Sequence, residues 1–141
     1  MSHIRHAIHL EASPADVFRA LSTIDGLAAW WTETTSGETT LDGEIAFRFG
    51  AHVTSMKVTG LETDRRVEWT CTSGAPEWTD TKVRFSLSTP DPEKPNRTLL
   101  AFVHDDWQET TPFLAHCSMK WANFLLTLRA FVETATGAPF P

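Results

Sequence analysis

Hydrophobic and polar residues alternate over the first ten positions of the chain. Ile4, Ile8 and Leu10 share one parity, with polar residues between them. A period of two is typical of a strand with one buried face. Ser13-Pro14 follows, a hydroxyl suited to a helix N-cap and then a proline suited to the first helical turn. The pattern predicts a strand over 3–11, a short helix over 14–22 and a second short helix over 27–31.

The middle of the chain consists of short stretches rich in Thr, Val, Phe and Trp, separated by turn residues. Asp42-Gly43 is one such turn signal. Val83, Phe85 and Leu87 show the alternation expected of a half-buried strand. A succession of hairpins of this kind predicts an antiparallel meander. The predicted strands cover residues 33–36, 44–50, 53–61, 65–72, 79–89 and 97–107.

The last part of the chain changes to helical periodicity. Thr111-Pro112 repeats the combination of cap and proline. Apolar residues then recur at spacings of three or four towards Gly137, a residue that favours helix C-termini. A helix of about 24 residues is roughly 35 Å long, enough to cross one domain. The apolar stripe consists of Leu114, Cys117, Trp121, Leu125, Leu128 and Val132.

These elements together predict the fold class. An antiparallel sheet needs one face covered, and the last helix is the element long enough to cover it. We therefore predict a single α+β domain over residues 1–141. Its seven-stranded, curved antiparallel sheet surrounds a long C-terminal helix, and two short helices follow the first strand. A curled sheet around one helix leaves room for an internal pocket.

Charge and cysteine content narrow the function classes. The formal net charge is −6 and no basic cluster is present, which argues against nucleic acid and anionic membrane surfaces as partners. The sequence contains neither a signal peptide pattern nor an apolar run long enough for membrane insertion. With only Cys71 and Cys117, we expect a cytoplasmic protein with reduced thiols. Motifs for a metal or a cofactor are lacking, so neither is expected.

Several motifs resemble the START-like superfamily, also called SRPBCC. SPADVFRA at 13–20 followed by GLAAWW at 26–31 is similar to its N-terminal motif. The resemblance implies a helix-grip fold whose cavity, between sheet and long helix, takes lipids, polyketides or other hydrophobic molecules. A minority of members are enzymes. Four further stretches resemble bacterial single-domain relatives of the activator of heat-shock-protein-90 ATPase: residues 42–49, 65–70, 100–107 and 121–128.

His104 is the main polar candidate for a site in such a cavity. On the predicted strand it shares parity with Leu100 and Phe102, which by the resemblance face the cavity. An imidazole there would orient a polar ligand group or act as a base, whereas the structural alternative is a hydrogen-bonded core histidine. Trp107 is expected to be a second polar anchor for the ligand. The predicted pocket lining is Trp31, Phe47, Phe49, Met56, Trp69, Phe85, Phe102, His104, Trp107, Trp121 and Phe124.

The remaining histidines and the cysteines favour structural interpretations. His3, His6 and His9 are spaced by three on a strand, so alternate members point to opposite faces and do not converge on a metal ion. Cys117 belongs to the helix stripe and Cys71 alternates with a strand tryptophan. Both thiols are predicted to be small core residues rather than nucleophiles.

Three functions fit the sequence. The first is a binding domain for an apolar, ring-containing small molecule, driven by burial of ligand surface. The second is an enzyme of the polyketide-cyclase or hydrolase type that uses His104. The third is a protein-interaction module of the chaperone-cofactor type, which requires an exposed apolar patch on the outer sheet face. Lys82, Arg84 and Glu68 are expected on that face and argue against a chaperone partner. A homodimer through an edge strand or the helix is compatible with the sequence.

Overall fold

In the computed structural model, which describes residues 2–141, the chain forms the predicted α+β fold. The strands are β1 (Ser2–Leu10), β2 (Thr35–Gly37), β3 (Glu44–Phe49), β4 (His52–Glu62), β5 (Arg66–Ser73), β6 (Lys82–Ser88) and β7 (Thr98–Trp107). The helices are α1 (Pro14–Ser22), α2 (Ile24–Trp30) and α3 (Pro112–Thr134). All strand pairs are antiparallel, and the sheet order is β1-β7-β6-β5-β4-β3-β2. Strands β2 to β7 form the predicted meander, and β1 extends it beside β7.

The break between the two short helices lies at Thr23 rather than at Asp25-Gly26. Thr23 has extended backbone angles, and its side chain accepts a hydrogen bond from the Gly26 amide at 3.0 Å. Gly26 is a buried residue inside α2, where a Cβ atom would lie 2.7 Å from the Cα atom of Ala20. The glycine therefore permits the close contact between α1 and α2 instead of ending a helix.

α3 begins as predicted but ends before Gly137. The side chain of Thr111 caps it by accepting from the Leu114 amide at 3.2 Å. Ala135 ends it in the left-handed conformation, with φ 61°, and donates its amide to Phe131. Gly137 instead passes close to α2, where a Cβ atom would lie 2.0 Å from the carbonyl oxygen of Ala29. Gly137, predicted to end the helix, thus lies beyond its end and allows the C-terminal segment to pack closely on α2.

Aromatic side chains fill the space between the sheet and α3. Trp121 on α3 packs against Phe102 on β7, with ring centroids 4.6 Å apart. Trp31, at the end of α2, packs against Phe47 at 4.3 Å and stacks on Trp69 at 5.7 Å. These five rings are at most 2% exposed. The interior beneath the central part of the helix is therefore packed with side chains.

A bulge near the end of β7 changes which face its last residue occupies. His104 pairs with Ile4, but Trp107 pairs with Ser2, so β7 has one residue more than β1 over this stretch. Asp106 supplies the bulge, with φ 68°. Strict alternation from His104 would place Trp107 on the outer face, whereas the extra residue returns it to the interior, where it is 1% exposed.

Candidate ligand pocket

An open pocket of about 480 Å³ lies beside the packed interior, at the N-terminal half of α3. Its walls come from the end of α2, the β3–β4 hairpin, the loop between β5 and β6, α3 and the C-terminal segment. Apolar and aromatic side chains predominate, and polar groups are few. The lining consists of Trp31, Phe49, His52, Thr54, Ala75, Trp78, Phe113, His116, Cys117, Lys120, Trp121, Phe124 and Phe140.

The C-terminal segment closes one side of the pocket. The Phe140 amide donates to the carbonyl oxygen of Trp31 and the Phe140 carbonyl accepts from the Glu33 amide, both at 2.9 Å. Its ring packs edge-on against Phe49 at 5.5 Å. Gly50, with φ 63°, makes the turn between Phe49 and His52. Backbone hydrogen bonds thus hold a ring that is itself 37% exposed at the pocket edge.

The loop between β5 and β6 places Trp78 over the end of the packed interior. Its indole is nearly parallel to that of Trp121, at 12° and 5.9 Å between ring centroids. Its Nε1–H group donates to the Sγ atom of Cys117 at 3.4 Å. The amide of Trp78 donates to the carbonyl of Ala75 at 2.9 Å, which closes a turn in the loop. Trp78 therefore forms a wall between the pocket and the residues below it.

His104 lies beneath Trp78, with both ring nitrogens in hydrogen bonds. Trp121 Nε1 is 3.1 Å from Nδ1, and because an indole nitrogen only donates, Nδ1 is the acceptor. Nε2 therefore carries the proton and donates to Thr81 Oγ1 at 2.7 Å. The Thr81 hydroxyl donates in turn to the Trp78 carbonyl at 2.5 Å. These bonds join β7, α3 and the loop in one network and hold the imidazole in one tautomer.

The surroundings of His104 favour the neutral imidazole. The residue is fully buried, and this burial lowers its pKa from 6.5 to about 3, with a smaller opposing effect of the Asp105 charge. Protonation at Nδ1 would also break the bond from Trp121. A base needs a free lone pair, and both nitrogens of His104 are committed.

The two thiols are also held in their neutral form. Burial raises the pKa of Cys71 to about 11. Burial likewise raises the pKa of Cys117, against the lowering effect of the hydrogen bond from Trp78. A thiolate is the nucleophilic form of cysteine, so these environments suit the predicted packing role of both residues.

The predicted lining residues separate into two groups. Trp31, Phe49, Trp121 and Phe124 line the pocket, with Trp31 and Trp121 almost fully buried at its floor. The other predicted residues are buried outside this lining, and five of them pack directly against the ring of Trp31 or Trp121. This second group is Phe47, Met56, Trp69, Phe85, Phe102, His104 and Trp107.

Nine lining residues were not predicted from the sequence. Trp78 and Phe113 belong to the two sides of the pocket mouth, in a loop and in the first turn of a helix. Their positions depend on how distant segments meet, so periodicity within one element gives no signal for them. The one available signal was the aromatic content of the chain, 6 Trp and 9 Phe, which is compatible with an aromatic-lined interior. The full set is His52, Thr54, Ala75, Trp78, Phe113, His116, Cys117, Lys120 and Phe140.

The histidines of β1 lie apart from this pocket. His6 Nε2 lies 3.1 Å from the carbonyl oxygen of Ser118, while His3 and His9 are exposed. Within residues 2–141, His, Cys, Asp and Glu side chains form no group of three or more that could hold a metal ion. Over the same residues, no helix has the length and apolar character needed to cross a membrane.

The outer face of the sheet carries a charged network around Glu68. Its carboxylate accepts from Arg84 Nε at 3.0 Å and from Thr59 Oγ1 at 3.0 Å, and a third contact comes from Arg66. Burial opposes the charge, but these partners lower the pKa of Glu68 overall. The face therefore presents ion pairs rather than an apolar patch. Among the described residues, large exposed apolar side chains are Leu41, Val53, Met119, Leu126 and Phe140.

Comparison with known proteins places this chain among relatives of known fold. The model of the family described as Activator of Hsp90 ATPase homolog 1-like protein matches residues 11–133. A solution structure of the Aha1 dimer from Colwellia psychrerythraea is 40% identical, with a TM-score of 0.87, over 97% of this chain and 100% of that one. The curated proteins contain no significant match.

Two more distant structures share the fold. Protein SSP2350 from Staphylococcus saprophyticus is 14% identical, with a TM-score of 0.78, over 99% of this chain and 100% of that one. CalU16 from Micromonospora echinospora is 19% identical, with a TM-score of 0.76, over 93% of this chain and 74% of that one. At such identities the likeness concerns the fold alone.

Proposed function

The chain belongs to the Activator of Hsp90 ATPase homolog 1-like family, and within that family we propose that it binds an apolar, ring-containing small molecule in the pocket beside α3. Membership confirms the START-like fold that the sequence motifs resemble. Because one fold serves many functions, the proposal rests on the pocket itself.

The aromatic lining is the observation that carries the proposal. Of the 13 lining residues, seven are Trp or Phe. They come from the end of α2, from β3, from α3, from the loop between β5 and β6 and from the C-terminal segment. The volume of about 480 Å³ lies within the roughly 300–1,000 Å³ of typical small-molecule sites. Ring faces and edges presented from several directions favour a flat, unsaturated or aromatic ligand. Burial of its apolar surface would supply about 25 cal/mol per Å².

His104, the residue that the sequence offers for catalysis, and the neighbouring thiol of Cys117 both support binding over catalysis. His104 has no free lone pair, and Cys117 has a raised pKa. A cyclase or hydrolase needs a group that takes up or delivers a proton at the bound substrate. The hydrogen bonds of His104 therefore favour a structural role for this residue beneath the pocket floor.

A pocket-filling variant tests the proposal. Ala75 lines the pocket from the loop, so Ala75→Trp should occupy its volume without removing a core contact. The neutral fluorescent probe N-phenyl-1-naphthylamine should bind the wild-type chain with increased emission and bind this variant much more weakly. Ala101→Trp, on an exposed position of β7 outside the pocket, is the matched control and should bind as the wild type does. Equal binding by all three proteins, or none by the wild type, would reject the pocket as a binding site.

A second proposal is a homodimer, favoured by the 40% identical Aha1 protein solved as a dimer. In this chain α3 exposes Met119 and Leu126, two apolar residues spaced by seven and therefore on the same helical face. Light scattering after size-exclusion chromatography should give twice the chain mass. Leu126→Lys should give the monomer mass, whereas Leu41→Lys, on an exposed loop leucine, should not. A monomeric wild type at high concentration would exclude the dimer.

A further inference from the structure

The polar side chains at the pocket mouth have a consistent chemical character. Three of them have nitrogen atoms that can donate hydrogen bonds, namely His52, His116 and Lys120, and all three are exposed. His52 is the first residue of β4, while His116 and Lys120 lie one turn apart on α3. Donor side chains from two separate elements thus border the same aromatic pocket.

Negative charge is absent from this lining, although the protein is acidic. The chain has 18 Asp and Glu residues against 12 Lys and Arg. None of the acidic residues described in the structure is among the 13 that line the pocket. The carboxylate of Glu77, next to Trp78 in sequence, accepts from Thr111 Oγ1 at 2.7 Å and lies outside the lining. The lining therefore contains one lysine and two histidines but no carboxylate, on a molecule with a net charge of −6.

The three donor side chains at the mouth take no part in ion pairs within the described residues. Across residues 2–141, no ion pair involves His52, His116 or Lys120. The His116 ring lies 6.2 Å from that of Phe113 at an angle of 20°, which places an imidazole beside an aromatic wall. Ring nitrogens that donate hydrogen bonds and a lysine ammonium are therefore available to an acidic group whose apolar part sits against the rings.

We infer that the pocket takes an apolar acid: a ring-containing molecule whose carboxylate, sulfonate or phosphate lies at the mouth between Lys120 and the two histidines. This inference rests on the proposed function and adds the polar end of the ligand to it. The apolar part supplies most of the affinity by burial, and the anion selects the ligand and its orientation. Exposed ion pairs are weak, so the expected selectivity is modest, roughly two- to fivefold for the lysine contact.

Two probes with the same ring system separate the inference from the proposed function. 1-Anilinonaphthalene-8-sulfonate carries a sulfonate, whereas N-phenyl-1-naphthylamine has the same rings without it. The wild-type chain should bind both and prefer the anion at low ionic strength. Lys120→Glu should remove or reverse the preference, measured as the ratio of the dissociation constants of the two probes in the same variant. Lys94→Glu changes the charge equally at an exposed loop position outside the pocket, and it should keep the preference.

The outcomes differ for the two claims. Binding of neither probe by the folded wild type would overturn the proposed function and the inference with it. Equal binding of both probes, with no effect of Lys120→Glu, would overturn the inference and leave the apolar pocket intact. The inference would also be overturned if Lys94→Glu removed the preference for the anion as strongly as Lys120→Glu does. The attraction would then come from the net charge of the protein and not from a contact at Lys120. Added salt should weaken the anionic probe more than the neutral one.

Discussion

Trp121 Nε1 donates to His104 Nδ1 at 3.1 Å, and this bond connects the long helix to the last strand. The donor fixes the tautomer of the histidine, so the opposite nitrogen must donate to Thr81. The residue that the sequence suggested as a base is consequently a buried connection among helix, sheet and loop. Removing either partner of this bond leaves a buried polar atom without a hydrogen bond, a cost that apolar packing does not have.

A double-mutant cycle measures this bond. His104→Phe leaves the Trp121 indole buried without its acceptor, so the free energy of unfolding should fall by about 1–3 kcal/mol. Trp121→Phe leaves the Nδ1 lone pair unpaired in the same way. The double variant should be destabilised by less than the sum, with a coupling of about 1 kcal/mol in urea unfolding. Additive effects within about 0.3 kcal/mol would contradict the hydrogen bond as a stabilising contact.

The depressed pKa of His104 predicts a pH dependence of stability. The folded protein holds this residue neutral down to about pH 3, whereas the unfolded chain takes up a proton below about pH 6.5. Stability from this residue is therefore complete above pH 6.5 and decreases as the pH falls towards 3. The total over that window is on the order of 3–5 kcal/mol.

The comparison that isolates this effect uses His104→Phe, which lacks the titrating group. Its free energy of unfolding should change less between pH 6.5 and 4 than that of the wild type, since carboxylates contribute equally to both. NMR of the imidazole should show the Nε2-protonated neutral tautomer at pH 4. An imidazolium signal for His104 at pH 5 would contradict the prediction.

The packing of α3 predicts a strong contrast between two positions on the same helix. Trp121 is 2% exposed and in contact with four other aromatic rings within about 6 Å, whereas Arg129 on the same helix is exposed. Trp121→Ala should cost about 3–5 kcal/mol of unfolding free energy, and Arg129→Ala should change it by less than about 0.5 kcal/mol. Thermal and urea unfolding both measure this. A loss under 1 kcal/mol for Trp121→Ala would contradict the packed interior.

The contact between Trp78 and Cys117 predicts the reactivity of the thiol. Cys117 is 4% exposed and lies behind the Trp78 indole, so iodoacetamide should modify it slowly at pH 7. Trp78→Ala opens that side of the pocket and should accelerate alkylation severalfold, measured by mass spectrometry in a Cys71→Ala background. Although the loss of the hydrogen bond raises the thiol pKa, access should dominate. Rapid alkylation of the wild type would contradict the shielding.

Much of the fold follows from local sequence patterns. The alternation of β1 and the cap-and-proline pairs at Ser13-Pro14 and Thr111-Pro112 predict elements whose observed starts agree within about one residue. These signals act between residues close in the chain, where backbone geometry and side-chain caps decide the structure. The meander then follows from the succession of hairpins, and the covering helix follows from its length, whereas the position of β1 beside β7 was not predicted.

The positions that the sequence left undetermined depend on contacts between distant segments. Asp106 inserts a residue into β7 and turns Trp107 inward, which strict alternation does not predict. Gly137 is a residue type that often ends helices, yet here it allows the chain to pass close to Ala29. Each depends on the approach of a second segment, and periodicity within one segment carries no information on that approach.

The sequence by itself determined an α+β domain with a long amphipathic helix over an antiparallel sheet, because hydrophobic period and helix caps are local properties. Only the tertiary structure decided where the open space lies. The rings of Trp31 and Trp121 fill the centre, so the pocket opens to one side, bordered by Trp78, Phe140 and Lys120. A volume left between packed side chains depends on all of its walls at once, and those walls come from residues more than a hundred positions apart in places.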